Sequence, residues 1–387
     1  SIGLNVYYHT VVGDNPQRVR DAVDIAKKRA DIIITTGGLG PTCDDLTKVV
    51  LAEAFGKKMV FHQESADRIT EYFTKRNLLH MMTDNNLQQA MLPEDCTLLV
   101  NDWGTAPGCA FFAEDTHVIM LPGPPSECKP MFYHRAVPYL AQLSEGIILS
   151  TTLKFFGIGE SKLEDSLRER MNTMQNPTLA PYAKTGECEL RVTAKAATRE
   201  EAEALLAPEV EKLQEQFGNL IYGVDVTCFE EAVLKLLVEH GVTLATAESC
   251  TGGLIGKRIT DLSGSSKGYL GGVIAYSNEV KEKVLGVDSA ILEEFGAVSE
   301  QTAIAMAEGV RKLLGADIAI ATTGVAGPDL DDRGNEVGTV YIAIATAEGT
   351  HVRHKDLGNH RDRVRILAGH HGFDLVRRYL NKIPYDN

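Results

Sequence analysis

The stretch A-D-I-I-I-T-T-G-G, residues 30–38, limits the possible folds more than any other. It is an unbroken apolar run that ends in hydroxyls and glycines. A strand without polar alternation is buried on both faces, so helices must cover both sides of its sheet. The pattern returns in the last third of the chain as V-T-L-A-T-A, G-G-V-I-A-Y-S and A-D-I-A-I-A-T-T-G, with amphipathic helices between them. Both ends of the chain therefore read as three-layer α/β domains. Residues 150–222 read as strand, glycine turn, helix, hairpin and charged helix, a small α+β module. The expected division is 1–148, 149–224 and 225–387, in keeping with 387 residues being too many for one ordinary core.

Local readings follow the same logic. N-V-Y-Y-H-T-V-V near the start reads as a strand, S-E-C-K-P-M-F-Y-H-R-A-V-P-Y-L-A-Q-L as a helix ending near residue 144, and Ser299 as the N-cap of a helix over 300–314. The start has neither a basic leader nor a cleavage site, and no run approaches the ~20 apolar residues of a membrane helix. A net charge of −14 argues against nucleic acid as a main partner. The G-I-G-E turn of the middle module lacks the basic setting of an RNA clamp. Seven scattered cysteines (Cys43, Cys96, Cys109, Cys128, Cys188, Cys228 and Cys250), with no paired spacing, fit a reducing cytoplasm rather than structural zinc or disulfides.

Chemistry concentrates in A-E-S-C-T-G-G, residues 247–253, where a strand turns on glycines into a helix. Ser249 there is either a helix cap or a nucleophile whose oxyanion meets backbone amides. Cys250 is the rival nucleophile, without a histidine in a motif position. Y-S-N-E-V-K places Tyr276 and Lys281 near the carboxyl edge of the sheet, where open α/β sheets collect ligands. Lys281 is either a base with its proton loosened by burial or a solvated partner of Glu279 or Glu282. T-T-G-V-A-G-P offers Thr323 and Gly324 at a third strand end, and G-N-H-R-D-R-V-R sets Arg361 and Arg365 one turn apart, able to grip a phosphate.

T-T-G-G-L-G-P-T-C-D-D-L-T, residues 35–47, exposes the backbone at Gly37, Gly38 and Gly40. Asp44 and Asp45, with Glu127 from L-P-G-P-P-S-E, are candidates to hold a divalent cation. The two aspartates serve equally as charge compensation in a helix first turn.

Taken in order, A-E-S-C-T-G-G, Y-S-N-E-V-K, G-A-V-S-E, T-T-G-V-A-G-P-D, V-G-T-V-Y-I-A and the R-D-x-V-R helix resemble the C-terminal domain of the CinA (competence/damage-inducible) family. T-G-G-L-G-P-T-x-D-D-x-T, G-T-A-P-G and P-G-P-P-x-E resemble that family's N-terminal, molybdopterin-binding-like half, and the middle module resembles its KH-like insert. The resemblance implies a metal-independent nicotinamide mononucleotide deamidase. Ser249 would be its nucleophile, Lys281 its base and Tyr276 a positioning or protonating group. Thr251, Gly252, Thr323 and Gly324 would lie in the substrate pocket, with Arg361 or Arg365 on the 5′-phosphate. For the first domain it implies metal-dependent ADP-ribose pyrophosphatase chemistry at Gly37, Gly38, Gly40, Asp44, Asp45 and Glu127. The chain departs from the family in an inserted His360, in Leu87 where a lysine is usual, and in lacking the family's first strand and its loop, so weak or no pyrophosphatase activity is expected. A homodimer is the default assembly. A non-enzymatic regulator acting in competence or damage response, or a molybdopterin-binding protein, is the alternative.

Overall fold

The computed structural model describes residues 4–42, 44–143 and 146–385. Cys43 and the expected helix end near residue 144 lie outside them. The chain forms two compact units, 1–147 and 148–387.

The first unit carries helices α1 (Pro16–Ala26), α2 (Thr47–Ala54), α3 (Gln63–Lys75), α4 (Asp84–Gln88), α5 (Pro125–Met131) and α6 (Val137–Ala141). Its strands are β1 (Ile32–Thr36), β2 (Met59–Phe61), β3 (Met91–Pro93), β4 (Thr97–Leu99), β5 (Gly108–Ala113) and β6 (Thr116–Leu121). The main sheet runs β1-β6-β5-β4, with β1 parallel to β6 and the other pairs antiparallel; β2 and β3 form a separate pair. Neighbouring residues of β6 feed opposite cores: Val118 and Met120 join Ile33, Leu51 and Phe111, while Ile119 and Leu121 join Met131 and Leu140. Helices thus cover both faces, as the apolar strands require.

Two local expectations fail. Residues 5–12 form no strand; Val6, Tyr7 and Val11 are exposed and no partner strand lies alongside among the described residues. Apolar alternation alone cannot make a strand where there is no ladder to join. The long helix over 126–143 is broken into α5 and α6 by a π-helical turn at Phe132–Ala136. Pro130 and Pro138 lack the N–H groups that a continuous α-helix would use there.

The second unit begins with β7 (Ile147–Phe155), α7 (Glu160–Thr173), β8 (Thr178–Lys184), β9 (Glu187–Ala196), α8 (Arg199–Phe217) and β10 (Ile221–Val224), in sheet order β10-β7-β9-β8. The chain continues through α9 (Phe229–His240), β11 (Leu244–Glu248), α10 (Leu254–Thr260), β12 (Tyr269–Ile274), α11 (Asn278–Leu285), α12 (Ser289–Glu294) and α13 (Glu300–Leu314). It ends with β13 (Ile318–Gly324), β14 (Thr339–Thr346), β15 (Gly349–Asp356) and α14 (Arg361–Leu380). These strands form a five-stranded sheet, β12-β11-β13-β14-β15, in which β11 runs parallel to both its neighbours.

The repeated Ile-Ala pairs of β13 and β14 explain the layering. Ile318, Ile320, Ile342 and Ile344 face a core with Phe229, Ile255 and Phe373, from α9, α10 and α14. Ala319, Ala321, Ala343 and Ala345 face Ala303, Met306, Ala307 and Val310 of α13. Small side chains let α13 lie close to the sheet. It lies equally close to α11, since a Cβ on Gly309 would fall 2.0 Å from the Leu285 carbonyl oxygen.

The middle module is docked firmly on this sheet domain. Tyr222 stacks on Phe229 with ring centroids 4.1 Å apart, and Arg377 of α14 donates to the carbonyls of Asn219 and Ile221. Phe229 is fully buried at this junction. Phe229→Ala should therefore destabilise the second unit by about 3–5 kcal/mol, read as a lower urea midpoint for its unfolding.

Candidate active site

Ser249 follows β11 directly, and its amide donates to the Thr322 carbonyl of neighbouring β13 at 2.9 Å. Lys281 lies in the first turn and a half of α11, a helix capped by the Ser277 hydroxyl. The parallel pairing of β11 with β12 brings both elements to one sheet edge. Lys281 Nζ is 3.2 Å from Ser249 Oγ and donates to the Tyr276 carbonyl at 3.3 Å. The lysine is only 1% exposed and no carboxylate pairs with it among the described residues. Burial without a counter-charge disfavours the ammonium, and its pKa falls to about 8, only partly opposed by Cys250. The solvated pairing with Glu279 goes instead to Lys283.

The turn between Ser249 and α10 is tied down residue by residue. Gly252 and Gly253 both adopt left-handed φ, 59° and 89°, which a side chain would resist. The Thr251 hydroxyl is fully buried against Thr322 Oγ1 at 2.8 Å. Its carbonyl accepts from Arg365 Nε and Nη2 at 3.2 and 2.8 Å. The leading amides of α10 are not available to a ligand, because Ile255 and Gly256 donate to the Glu248 carboxylate at 3.0 and 2.8 Å. The amides of Cys250 and Thr251 donate to no other residue among those described. The first amides of the helix are thus closed off within the protein, while the Cys250 and Thr251 amides of the turn ahead of it are not.

Several expected site residues have other work. The Tyr276 side chain is 66% exposed, and it is the backbone carbonyl of this residue that meets Lys281. Thr323 is buried, with its hydroxyl donating to the Ala297 carbonyl at 2.5 Å, so it ties the G-A-V-S-E turn to β13. Gly324 permits close pairing, since a Cβ would meet the Thr339 carbonyl oxygen at 2.5 Å. Arg361, exposed at the start of α14, donates to the Gly327 carbonyl at 2.5 Å through one nitrogen. Arg365 is half-buried and engaged twice on Thr251. Both keep N–H groups for a phosphate, but Arg361 is the more exposed and is held by one nitrogen where Arg365 is held by two.

Cys250 packs in the core with its thiol pushed up to about 12 by burial. Buried His370 and half-buried His371 stay neutral, pulled down to about 3 by desolvation, and meet the Phe156 ring edge-on. Neither is bonded to Ser249. Sequence reasoning overlooked Glu248, although an acidic residue closing a strand before a helix whose N-cap is glycine is a usable signal.

In the first unit, Gly37 and Gly38 have φ of 93° and 69°, and Gly37 Cα lies against Gly123 of the P-G-P-P loop at the parallel β1 and β6 ends. A Cβ on Gly40 would meet Asp45 Oδ2 at 2.4 Å. That carboxylate accepts from the Thr42 amide and hydroxyl at 2.9 and 2.7 Å. Burial raises the Asp45 pKa, but the bonds from Thr42 and the Gly40 amide bring it below its ordinary value. Asp44 is exposed beside it, and Glu127 accepts from Asn101 Nδ2 at 2.7 Å. Asp44, Asp45 and Glu127 are thus not gathered as a ligand set, and among the described residues no three His, Cys, Asp or Glu side chains are placed to share a metal ion. The residues present do not fit the expected cation.

A three-layer α/β domain with a buried lysine beside a strand-end serine, preceded by two smaller folded modules, is the class these features define. The chain belongs to the CinA family. Residues 227–380 match the CinA C-terminal domain, 150–223 the damage-inducible protein CinA KH domain, and 1–142 the probable molybdopterin binding domain. A putative competence-damage inducible protein of Acetivibrio thermocellus is 47% identical over 99% of this chain and 92% of its own length. A CinA-like protein of Dictyoglomus turgidum is 46% identical over 98% and 92%. A CinA superfamily protein structure from Klebsiella pneumoniae is 31% identical over 40% of this chain and 96% of its own, with a TM-score of 0.39. No helix among the described residues is long and apolar enough to cross a membrane.

A protonated, buried thiol reacts slowly. Iodoacetamide at pH 8 should leave Cys250 unlabelled in the folded chain and modify it only after denaturation, as peptide mass spectrometry would read.

Proposed function

We propose that the C-terminal domain is an amidohydrolase that converts nicotinamide mononucleotide to nicotinic acid mononucleotide and ammonia. The observation that carries this reading is the 3.2 Å approach of a buried, counter-ion-free Lys281 amine to the Ser249 hydroxyl. The choice of substrate follows the family resemblance of the motifs around that pair.

The Tyr276 carbonyl takes one N–H of neutral Lys281 and so aims the nitrogen lone pair at Ser249. Lys281 accepts the hydroxyl proton as Ser249 Oγ bonds to the carboxamide carbon. The C=O electrons move to oxygen, and the amides of Cys250 and Thr251 receive that oxyanion. When the carbonyl re-forms, the C–N bond breaks and the Lys281 ammonium returns its proton to the departing nitrogen, releasing ammonia and leaving an ester on Ser249. Water then attacks the ester as Lys281 takes its proton, and the C–Oγ bond breaks with that proton passing to Ser249. Each proton lent to the lysine is given back, so the cycle needs no other base. Arg361 holds the substrate's phosphate outside the reacting centre.

Ammonia release from nicotinamide mononucleotide should fall on the order of 10⁴-fold or more in Ser249→Ala and persist in Cys250→Ala. Full activity of the serine variant would refute the assignment. A chain that releases no ammonia would favour the non-enzymatic alternative.

The neutral amine is the working form and the folded pKa is lowered from 10.5 to about 8. The active fraction therefore grows as pH rises: kcat/KM should climb tenfold per pH unit well below 8 and level off above it. Lys281→Arg, charged at every accessible pH, should abolish activity without restoring it at high pH.

Arg361→Gln should raise KM by about 10- to 100-fold, the worth of a charge-assisted phosphate contact, with kcat largely kept. Steady-state kinetics separates the two parameters.

A further inference from the structure

The carboxylate of Glu248 has no role in the proton transfers above, yet it occupies a costly place. It ends β11, is 2% exposed, and adjoins the nucleophile. Each oxygen takes one amide of α10: Oε2 that of Ile255 and Oε1 that of Gly256. The helix has no other cap, since its N-cap is Gly253 in a left-handed conformation. The Glu248 carbonyl also accepts from Ala275 at 2.8 Å, which fixes the strand end to the segment leading into α11. Glu248 thus clasps the base of the 249–253 turn from the strand side, while Arg365 holds its far side by the Thr251 carbonyl.

We infer that Glu248 is a positioning residue for the amidase, a role that rests on the reading of Ser249 as nucleophile. By absorbing the helix amides within the protein it stops the turn from winding into a further turn of α10. Winding would enlist the Cys250 and Thr251 amides or carbonyls in the helix ladder and swing Ser249 off the lysine. Held open, the turn keeps the Cys250 and Thr251 amides, next in sequence to Ser249, from being taken up by another residue. The carboxylate acts on geometry and does not touch the substrate.

Glu248→Gln tests this, because the side-chain shape is kept while one acceptor oxygen becomes an NH₂ facing a backbone N–H. Turnover of nicotinamide mononucleotide should lose about 10- to 100-fold in kcat, the scale of a misplacement near 1 Å. KM should stay within about twofold, and the pH midpoint set by Lys281 should not move. Hydrogen exchange at Ile255 and Gly256 should quicken, and Glu248→Asp should recover part of the lost rate. Wild-type kcat in Glu248→Gln overturns the inference, as does a displaced pH midpoint, which would mean that the carboxylate acts through the lysine's charge. Should the glutamine variant not fold, the aspartate variant decides by the same readouts, with wild-type kcat and an amide exchange no faster than the parent's counting against the inference. Absence of ammonia release from the parent chain is a separate result, which removes the amidase reading itself.

Discussion

An ammonium group taken out of water without a counter-ion costs several kcal/mol, and the protein avoids that cost by letting Lys281 give up its proton near neutrality. Everything around the lysine serves to keep it dry and unpaired. The exposed carboxylate two residues back, Glu279, lies on the far side of the helix and is occupied by Lys283. The alanine faces of β13 and β14 draw α13 inward, and α13 in turn backs α11. What remains for the amine is a serine hydroxyl and one backbone carbonyl. A lysine in such surroundings is suited to act as a base, whereas the same residue two positions along the helix is a surface charge.

The surroundings of Ser249, the proposed nucleophile, obey a complementary rule. Several polar atoms around the 247–253 turn are consumed within the protein: the Ser249 amide by Thr322, the Thr251 hydroxyl by Thr322, the Thr251 carbonyl by Arg365 and the α10 amides by Glu248. Buried polar groups are satisfied as a matter of course, so the amides of Cys250, Thr251 and Gly253, which donate to no other residue among those described, support the proposal that a ligand oxygen is received at this turn. In the first unit the Asp45 carboxylate is spent on closing its own glycine loop, and among the described residues no three His, Cys, Asp or Glu side chains gather to share a metal ion.

Much of this was legible in the residues. Unbroken apolar strands ending on glycines specify a sheet covered on both faces, and the motif order placed Ser249 and Lys281 at one edge. Illegible were the contacts made by backbone atoms, because a carbonyl carries no mark of its residue type: Tyr276 contributes its main chain, and Arg361 and Arg365 differ only in which carbonyl each finds. Thr323 advertised a hydroxyl whose partner, Ala297, is unremarkable in sequence. Residues 5–12 are rich in Val, Tyr and Thr yet have no neighbouring ladder among the described residues, and prolines whose effect depends on register broke the helix after Pro125. Composition and pattern report what a segment prefers, not what it meets.

Gly309 has a consequence for the adaptability of this scaffold. Alanine normally steadies a helix interior relative to glycine by about 1 kcal/mol, so a drift toward greater heat resistance would favour that exchange. At this position the added methyl would strike the Leu285 carbonyl and lever α11 outward. The lysine's seat then tilts although no atom of the reaction centre has been altered. Rigidity and reactivity are set against each other here by one missing carbon, and a hotter-living relative must harden its fold elsewhere.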